Sequence, residues 1–290
     1  MKMSSNILVY HSPCRDGFTA AWAFHLKYGL EFEYLPEHAG RHNVVDELLK
    51  HPHISKKRVY FVDICPPREY LLKLKEAARH VEVWDHHETT RRECGDLPFV
   101  HIDQTKSGAS LAWKTLYPLE EMPFLVSLVE DADLAKWAIP NAKEYILWLN
   151  LQENTFNAWS RASSLLETIE DRATILAEAK IMKRYQEHVF STLSSEKKRH
   201  WVYLQKSRDE KPVRFAAVNA SVMQSEIGTA LAETAPGGAV WYFNGQQYVF
   251  SLRSLKGGEN CERVAAFYGG GGHVNAAAFN VNNLDKIRFE

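Results

Sequence analysis

Val81-Glu82-Val83-Trp84-Asp85-His86-His87 is a short β-branched and aromatic run that ends in one carboxylate and two imidazoles. The run reads as a buried strand, and the polar triplet then lies at its tip, where fixed geometry and solvent access coexist. Two further runs end alike: Asn6 to Tyr10 leads into His11 with Asp16 close behind, and Val59 to Val62 leads into Asp63. Parallel strands of an open α/β sheet share one carboxyl edge, so residues distant in sequence meet there. A lone His-His pair after a strand is an ordinary loop feature. Ligand-type residues at three strand tips point instead to a metal site, and His with Asp suits a borderline-hard divalent ion such as manganese. A carboxylate shared by two such ions suits hydrolysis of a phosphate ester.

Outward from these strands, helical patterns alternate with strand patterns. Ala20, Ala21, Phe24 and Tyr28 recur at helical spacing over Gly17 to Tyr28, a strand is expected at Phe32 to Leu35, and helices at Asn43 to Lys50 and Arg68 to His80. This alternation predicts a doubly wound parallel sheet. Ser107 to Leu116 and Phe124 to Glu130 read as further helices, and the second runs into Asp131-Ala132-Asp133, one of whose carboxylates completes the ligand set. Arg161 to Leu193 contains no proline or glycine and keeps Leu165, Ile169, Ala173, Leu176, Tyr185, Val189 and Leu193 on one face, which predicts a connecting helix or helix pair. Trp137 and Trp148 are expected in the core. β-like runs return at Arg214 to Val218, Ala239 to Phe243 and Tyr248 to Leu252, and Asn244-Gly245 is a hairpin signal. The expected organisation is an α/β domain over 1–155, a helical linker over 156–200 and a smaller α+β domain over 201–290.

In the second domain, Gly269-Gly270-Gly271-Gly272-His273 reads either as a phosphate-cradling loop, with His273 as a donor, or as a turn before the strand Ala277 to Val281. Strand alternation aims Arg253 of Ser251-Leu252-Arg253-Ser254 to one face, where a guanidinium can grip a phosphate. Lys197-Lys198-Arg199-His200 reads as a solvated helix end.

Lys and Arg total 35 against 36 Asp and Glu, a net charge of −1. Residues 1–150 carry 18 basic and 21 acidic groups, and no region is broadly basic. That balance disfavours wrapped duplex nucleic acid and suits a small phosphorylated substrate held by local charges. Cys14, Cys65, Cys94 and Cys261 form no CxxC pair, so neither a zinc knuckle nor a disulfide framework is indicated. With no run approaching about 18 apolar residues, no membrane association is expected and a cytoplasmic location is the default.

Together, His11-Ser12-Pro13-Cys14-Arg15-Asp16-Gly17, Asp63, Asp85-His86-His87, the Asp131/Asp133 pair, the Arg253 segment and the glycine run resemble the DHH/DHHA1 phosphoesterases. That superfamily includes nanoRNases, cyclic-dinucleotide and phosphoadenosine phosphate hydrolases and RecJ-type exonucleases. The resemblance spans nearly the whole chain. It implies an N-terminal DHH domain holding two Mn2+ ions, with Mg2+ as the alternative, and a C-terminal DHHA1 domain that binds substrate. It implies His11, Asp16, Asp63, His86 and one of Asp131 or Asp133 as ligands, with Asp63 as the bridge. His87 would contact the scissile phosphate and Asp85 orient an imidazole. Arg253, Ser254, Gly270, Gly271, Gly272, His273 and Asn219 would bind substrate. Cys14 stands where this family commonly has Asp, either as a thiolate ligand or as a packed neutral thiol. The implied activity is hydrolysis of short single-stranded oligonucleotides to 5′-nucleotides. Alternatives are a 3′-phosphoadenosine 5′-phosphate phosphatase, a cyclic nucleotide phosphodiesterase and a non-catalytic nucleotide sensor. Monomer and homodimer remain open.

Overall fold

In the first strand Ile7 and Val9 face one side, Leu8 and Tyr10 face the other, and all four are buried. A strand buried on both faces needs helices on both faces, which is the arrangement found in the computed structural model. The structure describes residues 5–38, 43–195 and 198–290; Met1 to Ser4 and Lys197 of the basic cluster lie outside them. The chain divides into two compact units, Met1–Lys183 and Arg184–Glu290.

The first unit runs β1 (Asn6–His11), α1 (Arg15–Tyr28), β2 (Phe32–Glu37), α2 (Asn43–Lys50), β3 (Arg58–Val62), α3 (Arg68–Ala77), β4 (His80–Asp85), α4 (Glu88–Cys94) and β5 (Val100–Ile102). It continues with α5 (Gly108–Leu116), α6 (Phe124–Asp133), α7 (Ala142–Leu149), α8 (Phe156–Glu167) and α9 (Ile169–Leu193). The sheet is parallel in the order β2-β1-β3-β4-β5. One core packs Leu8, Tyr10, Val62 and Trp84 against helices that include α1, α5 and α6. The opposite core packs Ile7, Val9, Phe61 and Val83 against Val45 and Leu48 of α2 and Leu71 and Leu74 of α3. The sheet is therefore doubly wound. The connection from β1 runs to β2 on one side and that from β3 to β4 on the other, so a crevice opens at the carboxyl ends of β1 and β3.

Of the two forms expected for the long apolar run, one helix or a helix pair, the structure has the pair, α8 and α9. Thr168 takes an extended conformation and its hydroxyl accepts from the Asp171 amide at 3.1 Å, capping α9. This break resets the helical phase. Ile175 and Ala179 are buried, whereas Ile169 and Tyr185 of the expected stripe are 73% and 70% exposed. Trp159, Ala162 and Leu166 of α8 lie in the first unit's core, so part of the segment expected as a linker is core structure.

The second unit contains β6 (His200–Leu204), β7 (Val213–Asn219), α10 (Gln224–Ala232), β8 (Gly238–Phe243), β9 (Tyr248–Arg253), α11 (Cys261–Phe267), β10 (Gly271–His273), β11 (Ala276–Val281) and β12 (Arg288–Phe289). These strands form one mixed sheet, β10-β11-β9-β8-β7-β6-β12. Only β7 and β8 among these neighbours pair in parallel, with α10 between them in sequence. In the β8–β9 turn Asn244 Oδ1 accepts from the Gln246 and Gln247 amides at 3.0 and 2.8 Å. Lys198 has 3-10 helical geometry, and Arg199-His200 lead into β6.

Candidate metal centre

Three parallel strands deliver their terminal residues to one edge. β1 ends in His11, Asp63 follows β3, and β4 ends in Asp85 before His86 and His87 turn into α4. Asp63 adopts φ 59°, an uncommon left-handed value for a non-glycine residue, while its amide still donates to the Trp84 carbonyl at 2.9 Å. Asp16, in the first turn of α1, points at the start of α5 and accepts from the Gly108 and Ala109 amides at 2.5 and 2.9 Å. A side chain at Gly108 would place its Cβ 2.5 Å from Asp63 Cβ and 2.9 Å from Asp16 Oδ2, so glycine is needed for this approach. The positive end of α5 thus faces a buried carboxylate.

Asp63 lies at the centre. Its Oδ2 is 3.2 Å from His11 Nδ1 and its Oδ1 is 3.2 Å from His86 Nε2. His86 Nε2 is also 3.8 Å from Asp16 Oδ2 and 3.6 Å from Asp133 Oδ2. His11, Cys14 and Asp63 form one group of donors within 4.8 Å of one another, and Asp16, His86 and Asp133 form another. The Cys14 thiol therefore belongs to the donor cluster instead of filling a core position. Asp133, not Asp131, joins the site. The Asp131 carboxylate accepts from the Ala138 and Ile139 amides at 2.8 and 3.2 Å and organises the loop after α6. Two residues apart on a helix, the two side chains diverge by about 200°.

Asp85 is 1% exposed and its Oδ1 accepts from the His86 amide at 2.8 Å and lies 2.7 Å from His87 Nδ1, while Thr90 donates to Oδ2. This fixes the His87 ring, whose side chain is 44% exposed, with Nε2 left for other partners.

Burial pushes the Asp16 carboxyl well above the ordinary range, and the charges of Asp63 and Asp133 push it further. Burial would raise Asp63 too, but its bond with His11 and the close imidazoles of His86 and His87 outweigh it and hold Asp63 below the ordinary range. His11 is pushed up to about 10, first by its bond to Asp63 and then by Cys14. Burial would lower His86, yet Asp63, Asp16 and Asp133 together raise it to about 9. His87 is raised by its bond to Asp85. The crowded carboxylates demand positive charge, which protonated imidazoles supply when no cation does. Asp63 Oδ1 is buried and, despite its 3.2 Å approach to His86, has no well-directed hydrogen bond. An orphaned carboxylate oxygen among N and O donors fits a divalent cation.

In the second unit Arg253 Nη2 donates to Ser225 Oγ at 2.6 Å and Nη1 to the Leu252 carbonyl at 2.8 Å. Asn219 Nδ2 donates to the Trp241 carbonyl at 3.0 Å, and Ser254 Oγ accepts from Asn275 at 2.9 Å. The glycine run is not a free loop. Gly271, Gly272 and His273 form β10, paired antiparallel with Ala278, Ala277 and Ala276. Side chains at Gly270 or Gly272 would collide with the β11 backbone at 2.1 and 2.5 Å, whereas Gly271 faces open space. His273 and Arg253 both register with Ala276, so they share one cross-sheet row. Ser225 lies in the first turn of α10. Ser107 caps α5, and Trp148 is core at 6% exposure, but Trp137 is 42% exposed.

The two-unit α/β fold recurs in solved structures. A pGpG-specific phosphodiesterase from Vibrio cholerae superposes with a TM-score of 0.56 at 14% identity, covering 98% of this chain and 95% of that one. An uncharacterized protein from Helicobacter pylori G27 superposes with a TM-score of 0.50 at 12% identity, covering 97% and 94%. In sequence, the chain is 26% identical over 296 residues to an uncharacterized protein of Acanthamoeba polyphaga mimivirus, covering 96% of this chain and 68% of that protein. No family model matches. At these identities the structural likeness is one of fold. No helix among the described residues is long and apolar enough to cross a membrane.

Proposed function

We propose that this protein is a divalent-metal-dependent phosphodiesterase of the DHH/DHHA1 type that hydrolyses short oligonucleotides to 5′-nucleotides. The observation that carries the reading is Asp63, whose two carboxylate oxygens face separate donor groups, His11 with Cys14 on one side and His86 with Asp16 and Asp133 on the other. Such a carboxylate suits a pair of ions, for which Mn2+ is the proposed identity and Mg2+ the alternative. When bound, these ions would supply Lewis-acid charge for attack on a phosphate ester. His11, Asp16, Asp63, His86 and Asp133 would hold them, with Cys14 beside His11.

His87 keeps its Nδ1 on Asp85, which leaves Nε2 to donate to a phosphate oxygen or a leaving oxygen; the raised imidazole pKa favours the protonated, donating form. On the C-terminal unit, Arg253, Ser254, Asn219, Gly270 to Gly272 and His273 are proposed to bind the nucleotide. The near-neutral charge supports small substrates over long polyanions. The fold is shared with a protein named for cleaving pGpG, which supports a nucleotide diester.

The test is a hydrolysis panel with Mn2+, Mg2+ or chelator. Its substrates are RNA and DNA of two to ten nucleotides, linear and cyclic dinucleotides and 3′-phosphoadenosine 5′-phosphate. Metal-dependent loss of dinucleotides with slow turnover of the longer strands is expected. Turnover confined to 3′-phosphoadenosine 5′-phosphate, or none with any ion, would refute the assignment.

A further inference from the structure

A cavity of about 400 Å³ in the first unit adjoins the donor cluster without belonging to it. Cys14 is the shared wall. Phe18 and Trp159 form apolar lining, while Ser12, Arg15, Asn150 and Asn154 present polar groups. The other cavity touching the cluster, between β1, β3 and α4, is about 170 Å³ and has mainly apolar walls beyond the donors themselves. A volume of 400 Å³ falls within the range of small-ligand sites, roughly 300–1,000 Å³.

Arg15 is the unusual member. It is exposed, forms no ion pair with a carboxylate among the described residues, and donates through Nη1 to the neutral Asn150 Oδ1. It also opens α1, where a cation meets the positive end of the helix dipole, an unfavourable placement. Cys14, the residue before it, makes no side-chain cap to the first-turn amides. A guanidinium with no direct ion pair, its charge reaching only as far as the Asp133 carboxylate, and an uncapped helix start meet at one polar cavity. Both are met by the same chemistry, an anionic oxygen. The aromatic lining and the two asparagine amides suit the flat, hydrogen-bonding group that such an anion carries in a nucleotide.

We propose that this cavity is a subsite for a phosphate of the substrate that flanks the cleaved one, with its attached nucleoside, and that Arg15 is the residue that binds that phosphate. This rests on the phosphodiesterase reading above. Arg15 acts in binding and takes no part in bond cleavage, so its loss should appear in KM and spare kcat.

The test compares wild type, Arg15→Ala and Arg15→Lys on three substrates: a dinucleoside monophosphate, the same molecule with a 5′-phosphate, and the same molecule with a 3′-phosphate. In Arg15→Ala, KM should rise roughly 10-fold or more for one of the phosphate-bearing substrates, the size expected for losing a charge-assisted bond. KM for the unphosphorylated substrate should stay unchanged, and Arg15→Lys should recover part of the loss. Equal effects on all three substrates, or a fall in kcat, would place Arg15 at the cleaved phosphate and overturn the proposal, as would no effect on any. In parallel, adenosine 5′-phosphate and adenosine are titrated into wild type and Arg15→Ala in chelator. Wild type should favour the phosphate-bearing ligand and the variant should lose that preference; equal affinities in both proteins would overturn the subsite. If wild type cleaves no phosphoester with any ion, the phosphodiesterase reading fails and the titration alone still judges the cavity.

Discussion

In the N-terminal unit Asp16, Asp63 and Asp85 are each 1% exposed, and their partners are imidazoles, hydroxyls and backbone amides. In the C-terminal unit Asn219 and His273 are exposed, Arg253 is half-buried, and Arg253 and Asn219 bond neutral neighbours. Burying an incompletely paired carboxylate is expensive unless a cation completes its surroundings, whereas a half-exposed arginine on a neutral hydroxyl is near its solvated state. The first arrangement suits a site that works by concentrating charge; the second suits the phosphate-recognising surface proposed above. The contrast explains why the strained backbone at Asp63 and the crowded pKa values fall at the sheet edge of the first unit.

The sharpest way to break this contrast is Asp63→Asn. It removes the central charge with little change of shape, so metal-dependent turnover should fall more than roughly 100-fold, beyond the loss expected for a merely supporting partner. A kcat within tenfold of wild type would refute the central role of Asp63.

A second effect concerns pH in the metal-free protein. His11 and His86 are raised from their ordinary value to about 10 and about 9. Their stabilising contribution is therefore complete below about pH 6.5 and is lost as pH rises through 9 to 10. Asp16, also raised, acts in the same direction, because deprotonating it in the fold costs stability. Tm in chelator should fall between pH 7 and pH 10, and Mn2+ should flatten that slope. A Tm that rises with pH over this range would contradict the charge-crowding account.

Asp131 and Asp133 separate loop architecture from ligand chemistry. Asp131→Ala takes the charged acceptor from the part-buried Ala138 and Ile139 amides and should cost about 1–3 kcal/mol of stability with little loss of metal affinity. Asp133→Ala should do the reverse, weakening Mn2+ binding while leaving metal-free Tm unchanged or higher. Thermal melts with and without Mn2+ distinguish the two.

The smallest effect tests the second unit. Gly270→Ala forces a Cβ against the Ala278 carbonyl and should destabilise by about 1–3 kcal/mol. Gly271→Ala meets open space and should change stability by no more than about 0.5 kcal/mol. A selective loss of nucleotide affinity in Gly271→Ala would support recognition at that edge.

Much of this was legible in the sequence where local pattern and tertiary role agree. Apolar runs ending in His11, Asp63 and Asp85 specify parallel strands covered on both faces, and the strand ends bring those residues together with His86. The choice between Asp131 and Asp133 was not legible, because helix phase at a terminus is set by the packing of α6. The break at Thr168 has a sequence signal in Thr168 and Asp171 at capping spacing, hidden by an apolar pattern that continues across it. The glycine run has the composition of a loop, yet pairing with Ala276 to Ala278 makes part of it a strand, and only the partner reveals that. Trp137 is exposed because Asp131 holds its loop, a contact without local periodicity.

The most direct test of the account is diffraction from Mn2+-soaked crystals above the manganese absorption edge. Two anomalous peaks are predicted, one among His11, Cys14 and Asp63 and one among Asp16, His86 and Asp133, with Asp63 touching both. The absence of manganese from this edge, or a single ion held without Asp63, would contradict it.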